Sequence, residues 1–366
     1  RREIRKPDND LIKKDIEGKT IFISGAGGSI GSELGRQIIK LKPKKLILFD
    51  ISEHALYLIE RELLEINGEI PVLAVIGDIT RTKRLELIIN QYNVNTIYHA
   101  AAYKHVPLVE KNTLSGLRCN VFGTLSCIQA AIKGKVESFV YVSTDKAVRP
   151  TNIMGATKRF AELLLQAYAH DQTNKHNKED RIRISMVRFG NVLGSSGSVV
   201  PLFNSQIKQG GPITVTDPNI IRYFMTITEA AQLVIQAGAM GLDGDIFVLD
   251  MGEPVEVLQL AKDMVKLSGM TVKDDSNPDG DIEIIYTGLR PGEKLFEELL
   301  IDNKSSPTKH KKIMRVDDKG IALDMIENYL LEFEQAIEEQ DYMRIKELLL
   351  LTIVGFIPEE KSFEFK

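Results

Sequence analysis

Cysteine is scarce in this chain, and that scarcity bears first on compartment. Among 366 residues there are two, Cys119 and Cys127, and both fall in a stretch with helical spacing. Eight residues of helix separate them by about 12 Å, out of reach of a disulfide, so a reducing compartment is expected. The six histidines, His54, His99, His105, His170, His176 and His310, stand at no metal-ligand spacing with the cysteines or with one another, and no metal is expected. Long apolar runs are missing too. The longest, residues 348–357, contains Thr352 and Gly355 and is too short for a bilayer core of about 30 Å; no signal peptide is visible. Nor does one sign of charge dominate: 47 basic and 51 acidic residues leave −4, interspersed. Whole-chain attraction to nucleic acid is thereby excluded, and a polyanionic substrate has to be met by local groups.

What is present is ordinary globular material, 43% hydrophobic, enough for two core-forming units or one large one with a lobe. Apolar runs at 20–24, 45–49, 72–76, 96–99, 138–142 and 183–187 read as strands. They alternate with helical patterns at 29–41, 54–67, 81–92, 117–133 and 155–169. Such alternation predicts an α/β fold, a Rossmann-type doubly wound parallel sheet with ligand outside the carboxyl ends of the strands. After Asn191 loop-forming sequences such as Gly194-Ser195-Ser196-Gly197-Ser198 break the pattern. A smaller C-terminal substrate-binding lobe is expected there, interleaved with a further strand at 245–249 and a helix at 228–238. The expected division is a basic opening segment at 1–18, a dinucleotide-binding domain at 19–194, and at 195–366 the lobe, its returns to the sheet and the last helices. The opening, Arg1-Arg2-Glu3-Ile4-Arg5-Lys6 without methionine, reads as the start of an excised domain, with 1–18 either juxtamembrane or frayed.

Gly25-Ala26-Gly27-Gly28-Ser29-Ile30-Gly31 follows the first strand and opens a helix. Glycines at 25, 28 and 31 suit a tight turn, close backbone approach to a pyrophosphate and close helix packing, with phosphate at the positive helix end near Ser29 and Ile30. Asp50 ends the second strand, 19 residues beyond Gly31, where a carboxylate accepts bonds from a ribose diol and repels a 2′-phosphate; NAD is favoured over NADP. Ala100, Ala101 and Ala102 end the fourth strand and let a cofactor lie against backbone. The fifth ends in Ser143-Thr144-Asp145-Lys146, and Met154 and Lys158 share a face of the next helix.

These motifs resemble the extended short-chain dehydrogenase/reductases. With His99-Ala100-Ala101-Ala102-Tyr103-Lys104-His105, Arg188-Phe189-Gly190-Asn191-Val192 and Gly288-Leu289-Arg290-Pro291-Gly292-Glu293-Lys294, the sequence is similar, from about residue 19 to 314, to the polysaccharide-biosynthesis nucleotide-sugar dehydratases. Within these it is most similar to the PglF-type UDP-N-acetylglucosamine 4,6-dehydratases of bacillosamine and protein-glycan synthesis. The resemblance implies that Asp78, in Gly77-Asp78-Ile79, meets the adenine, although Asp78 reads equally as a helix cap. It implies that Asn120 supports the active-site strand and lysine, and that Lys158 bonds the nicotinamide ribose. Met154 stands where the broader family has a proton-transferring tyrosine, and a thioether has no proton to give. Proton transfer then falls to Thr144, holding the C4 hydroxyl, to Asp145, as its base and the later acid, and to Lys146, as C5 base. That last role requires Lys146 to be neutral, with its pKa lowered by burial or positive charge. Met154 contributes shape.

Recognition of a UDP-sugar falls in this reading to Arg290, Arg222 and Asn191 at the diphosphate, Glu293 at a ribose, Val199 and Val200 at the uracil, and Lys104 and His105 at sugar or phosphate. Larger members of the family carry membrane helices before this domain, which implies a cytoplasmic domain anchored at the inner membrane. Apolar faces at 117–133 and 155–169 fit the two-helix dimer common in the extended family, or the core. A nucleotide-sugar 4-epimerase and a non-catalytic UDP-sugar-binding scaffold are the competing readings.

Overall fold

A nine-stranded sheet organises the chain, in the order β8-β9-β7-β6-β5-β4-β1-β2-β3. Its strands are β1 (Thr20–Ser24), β2 (Lys45–Asp50), β3 (Val72–Ile76), β4 (Thr96–His99), β5 (Ser138–Val142), β6 (Arg183–Arg188), β7 (Asp245–Leu249), β8 (Ser305–Pro307) and β9 (Ile313–Val316). The computed structural model describes residues 9–175, 181–298, 305–318 and 320–358; His176 and residues 1–8 of the expected opening segment lie outside these. Strands β1 to β7 pair in parallel, as their near-continuous apolar sequences require for a sheet buried on both faces. Strand order reverses between β1 and β4, so the segments leaving these two strands part and open a crevice at their carboxyl ends.

At the far edge β9 runs antiparallel to β7, and β8 antiparallel to β9. The sequence reading did not anticipate this pair, since strands of three and four residues carry too few positions to show alternation. Asn9–Ile16 also departs from the expected loose opening. It is a helix with Ile12 and Ile16 in the core and Asp15 bonded to Arg183 at 2.6 Å. No helix among the described residues is long and apolar enough to cross a membrane.

The small lobe packs helices Val199–Lys208 and Val257–Leu267 against a short sheet in which Ile282–Tyr286 pairs in parallel with Ile213–Val215. Phe203, Val215, Ala261, Val265 and Ile282 fill its core. Helix Ile227–Met240 and β7 return to the main sheet.

The helix after β5 runs Ile153–Lys175, longer at both ends than expected, and residues 153–169 are all buried. Part of that cover comes from the C-terminal helices. Helix Leu323–Glu338 crosses it with Phe333 edge-on to Phe160, ring centres 5.1 Å apart. Of the two placements expected for the apolar face at 155–169, dimer contact or core, the single chain shows it covered by the core.

Candidate active site

The glycine loop is built by backbone contact. Gly25 has φ of +66°, and a Cβ there would fall 2.6 Å from Ala101 N; one on Gly31 would fall 2.1 Å from Gly25 O. Both positions exclude any side chain. The turn aims the N-terminus of helix Ser29–Ile38 into a cavity of about 820 Å³ walled by Gly25, Gly28, Ser29, Ile30, Gly31 and Ala100. The orphan N–H groups at that terminus suit a phosphate. Asp50 accepts from Gly27 N and Ser52 N, both at 2.9 Å, which fixes its carboxylate beside the loop. These features fit a dinucleotide.

Beneath the loop lies a residue that sequence reasoning passed over. His99, fully buried, meets Ser24 Oγ at 2.6 Å through Nδ1 and Thr124 Oγ1 at 3.0 Å through Nε2. Burial, with Lys158 nearby, pushes its pKa down to about 3, so a neutral imidazole ties β1 to β4 at the crevice. Asp78 lies outside the cavity wall. Its Oδ1 accepts from Thr80 N at 2.9 Å and Thr80 Oγ1 at 2.8 Å, pinning a turn that precedes the helix. Ile79 is buried against Gly123, where a Cβ would meet it at 2.6 Å. Asn120, in a π-helical turn at Arg118–Phe122, is a two-sided clamp. It accepts from Tyr103 N at 2.8 Å, donates to Tyr103 O at 3.0 Å and to Thr157 Oγ1 at 2.9 Å, joining the loop after Ala102 to the active-site helix.

At the end of β5, Thr144 Oγ1 donates to Asp145 Oδ1 at 2.9 Å, and Lys146 Nζ donates to the same oxygen at 3.0 Å. Thr144 and Lys146 reach the cavity wall, while Asp145 lies buried behind them. Lys146 Nζ also meets Asn191 Oδ1 at 3.4 Å and Glu297 Oε1 at 3.7 Å. Burial alone would lower the Lys146 pKa, but Asp145 and Glu297 outweigh it and hold the group above its ordinary value. The lowered pKa expected of Lys146 is therefore corrected: at rest it is a cation between two carboxylates. Glu297 carries no motif around it, and the sequence reading missed it.

The lowered lysine is Lys158. Its Nζ donates to Val142 O at 2.7 Å and stands 4.0 Å from the centre of the Tyr141 ring; burial pushes its pKa down to about 7. Met154, one helical turn earlier, faces the cavity and packs with Val106, Val109 and Ile153.

The opposite wall comes from the lobe. Arg222, expected on a diphosphate, uses its guanidinium on the protein: Nη1 donates to Ile221 O at 2.8 Å and Leu295 O at 3.1 Å, and Nη2 to Lys294 O at 2.8 Å and Glu293 Oε1 at 3.3 Å. Glu293 also accepts from Arg290 N at 3.1 Å, and the Arg290 side chain is exposed in the wall. Val199 lines the cavity at its helix start; Val200, beside it, is half-buried. Lys104 and His105 line it from the loop after β4. The Gly194–Ser198 loop closes over the crevice. Ser196 N donates to Ser29 Oγ at 3.1 Å, and a Cβ on Gly197, at φ +66°, would fall 2.2 Å from the His105 ring.

Residues 21–318 match the polysaccharide biosynthesis protein family. The chain belongs to that family. The capsular polysaccharide biosynthesis protein CapD of Staphylococcus aureus is 47% identical over 310 residues, which are 84% of this chain and 49% of CapD, so the chain spans about half of that relative's length. A UDP-glucose 4-epimerase of Rickettsia rickettsii is 34% identical over 287 residues, 77% of each chain. Among solved structures, Pen from Bacillus thuringiensis superimposes with a TM-score of 0.73 at 31% identity, over 87% of this chain and 99% of Pen. DesIV, a dTDP-glucose 4,6-dehydratase from Streptomyces venezuelae solved with NAD and TYD bound, shares the fold at 21% identity, with a TM-score of 0.63 over 75% of this chain and 86% of its own.

Proposed function

We propose that this chain is an NAD-dependent 4,6-dehydratase of UDP-N-acetylglucosamine. One observation carries the reading: Thr144 and Lys146, bonded to the same Asp145 oxygen, face a cavity whose floor is the glycine loop and in which a thioether, Met154, stands one helical turn before Lys158. A 4-epimerase needs a proton acceptor at C4 alone. A dehydratase also needs a base at C5 and an acid for the leaving C6 hydroxyl, and a coupled carboxylate and amine supply both.

Bound NAD would supply the hydride acceptor for sugar C4 and the hydride donor for C6, and the glycine loop with Asp50 would hold it. Thr144 holds the C4 hydroxyl, and its bond to Asp145 carries the released proton to that carboxylate. Lys146, which reaches the cavity, gives one proton to solvent and becomes a neutral amine. Lys146 takes the C5 proton, made acidic by the 4-keto group; the Asp145 proton returns through Thr144 to the C6 hydroxyl, which leaves as water. Lys146 returns a proton to C5, and solvent restores the ammonium. Lys158 holds the nicotinamide ribose, and Arg290, Glu293, Asn191 and Val199 meet the nucleotide, with the Arg222 clamp keeping Glu293 and its neighbours in place.

The epimerase reading is kept because of the Rickettsia relative. Incubation with UDP-N-acetylglucosamine in deuterated water, followed by proton NMR and mass spectrometry, separates the two. Loss of one water with deuterium at C5 is expected; a 4-epimer without loss of water would establish the alternative. Asp145→Asn with undiminished turnover would remove Asp145 from the scheme.

A further inference from the structure

We propose that Glu297 is a positioning residue for Lys146, a second carboxylate carried in by the small lobe to hold the ammonium at the cavity wall. The inference rests on the role given to Lys146 above and deepens it. Glu297 Oε1 lies 3.7 Å from Lys146 Nζ, its side chain 5% exposed. Like Lys146, and unlike Asp145, it lines the cavity. A carboxylate this far out of water at ion-pair distance favours the charged form of the lysine it faces.

The placement is over-determined by backbone. Ile221 N and Arg222 Nη1 both donate to Leu295 O at 3.1 Å, and Arg222 Nη2 donates to Lys294 O at 2.8 Å. Lys294 Nζ reaches Val148 O at 3.2 Å. At the other end Thr151 Oγ1 and Asn152 Nδ2 donate to Gly292 O at 2.9 and 3.0 Å. The segment that ends in Glu297 is thus stapled to the residues just after Lys146 and just before Met154. This accounts for Arg222: the arginine holds the strap, and the strap delivers the carboxylate.

The charged groups that bear on Lys146 are Asp145 on its own turn, and Glu297 and Arg222 from the lobe. Asp145 and Glu297 favour the ammonium; Arg222 and burial oppose it. Removing the Glu297 charge should therefore lower the midpoint at which Lys146 loses its proton.

The test is a titration of the full chain labelled with 13Cε-lysine, followed by NMR, with the Lys146 resonance assigned from Lys146→Arg. In Glu297→Gln the midpoint is expected to fall by about one unit or more, and in Glu297→Asp, which keeps the charge on a shorter arm, to fall less. An unchanged or raised midpoint in a folded Glu297→Gln overturns the inference. Should that variant not fold, Glu297→Asp is decisive alone: a lowered midpoint supports the proposal, and an unchanged or raised one rejects it. Turnover of UDP-N-acetylglucosamine is read alongside. A chain whose Lys146 midpoint shifts but which dehydrates no UDP-sugar refutes the proposed reaction and leaves the Glu297–Lys146 coupling standing; one that dehydrates while the midpoint stays fixed refutes only the coupling.

Discussion

Lys158 lies with its Nζ 4.0 Å from the centre of the Tyr141 ring, a buried cation on an aromatic face one strand-end away from Lys146. The two lysines have opposite electrostatics. Lys146 is held charged by neighbouring carboxylates, and Lys158 is pushed down to about 7 by burial.

The sign of the Lys158 shift fixes a pH dependence. Its ordinary value is 10.5 and its folded value about 7, so the folded state binds this proton less readily than the unfolded state. The stability associated with the group is complete above its unfolded value and is lost as pH falls to about 7. Lys158→Met removes that loss. Thermal unfolding of the variant and the parent should show a Tm difference more favourable to the variant at pH 6 than at pH 10; a difference independent of pH would refute the shift.

Met154→Tyr should not improve turnover. Met154 is 3% exposed and packed with Val106, Val109 and Ile153, so a phenol ring overfills the site at a cost of about 1–3 kcal/mol. The expected result is a lower Tm with equal or reduced turnover of UDP-N-acetylglucosamine. A parent inactive on every UDP-sugar, made active by this change, would return proton transfer to position 154.

Glu162→Gln should be among the most destabilising single changes in the chain. Glu162 is fully buried and bonded by Arg188 at 2.8 and 2.6 Å, Arg159 at 3.0 Å and Ser143 Oγ at 2.6 Å. Burial would raise its pKa, but Arg188, helped by Arg159 and Ser143, holds it at about 2. Losing the carboxylate leaves Arg188 facing Asp318 alone, at 3.2 Å. A loss of about 3–5 kcal/mol is expected, read from urea unfolding; a loss under about 1 kcal/mol would show the network to be dispensable.

Gly31→Ala should act on the cofactor. Its Cβ would stand 2.1 Å from Gly25 O, so the loop must part from the helix. NAD affinity measured by calorimetry is expected to fall tenfold or more, each factor of ten being about 1.4 kcal/mol. Unchanged affinity would show the loop to be adaptable.

The parallel strands were readable because buried β-strands are written as apolar runs between turn signals: β1, β3, β4, β5 and β7 begin and end where the sequence puts them. The glycine loop was readable because backbone crowding admits no other residue. Glu297 and the Arg222 clamp were not. Arg222 binds carbonyl oxygens of Ile221, Lys294 and Leu295, groups every residue possesses, so no residue type in the partner segment advertises the contact. Its side chain suggested an anion site, and tertiary structure gave it a backbone instead. The π-helical turn around Asn120 is equally silent in the sequence, because periodicity registers helix and not the widened turn that aims one side chain.

The bond from Ser196 to Ser29 spans the mouth of the dinucleotide crevice, with Gly197 too close to the His105 ring to carry a side chain; a dinucleotide entering by that side would part the bond. An oxidoreductase that releases spent cofactor after each cycle would reopen that mouth every time. In the proposed reaction the hydride goes back into the same sugar, the cofactor ends as it began, and traffic through the mouth is reduced to loading. The latch is then suited to NAD kept as a resident group, carried from one turnover to the next.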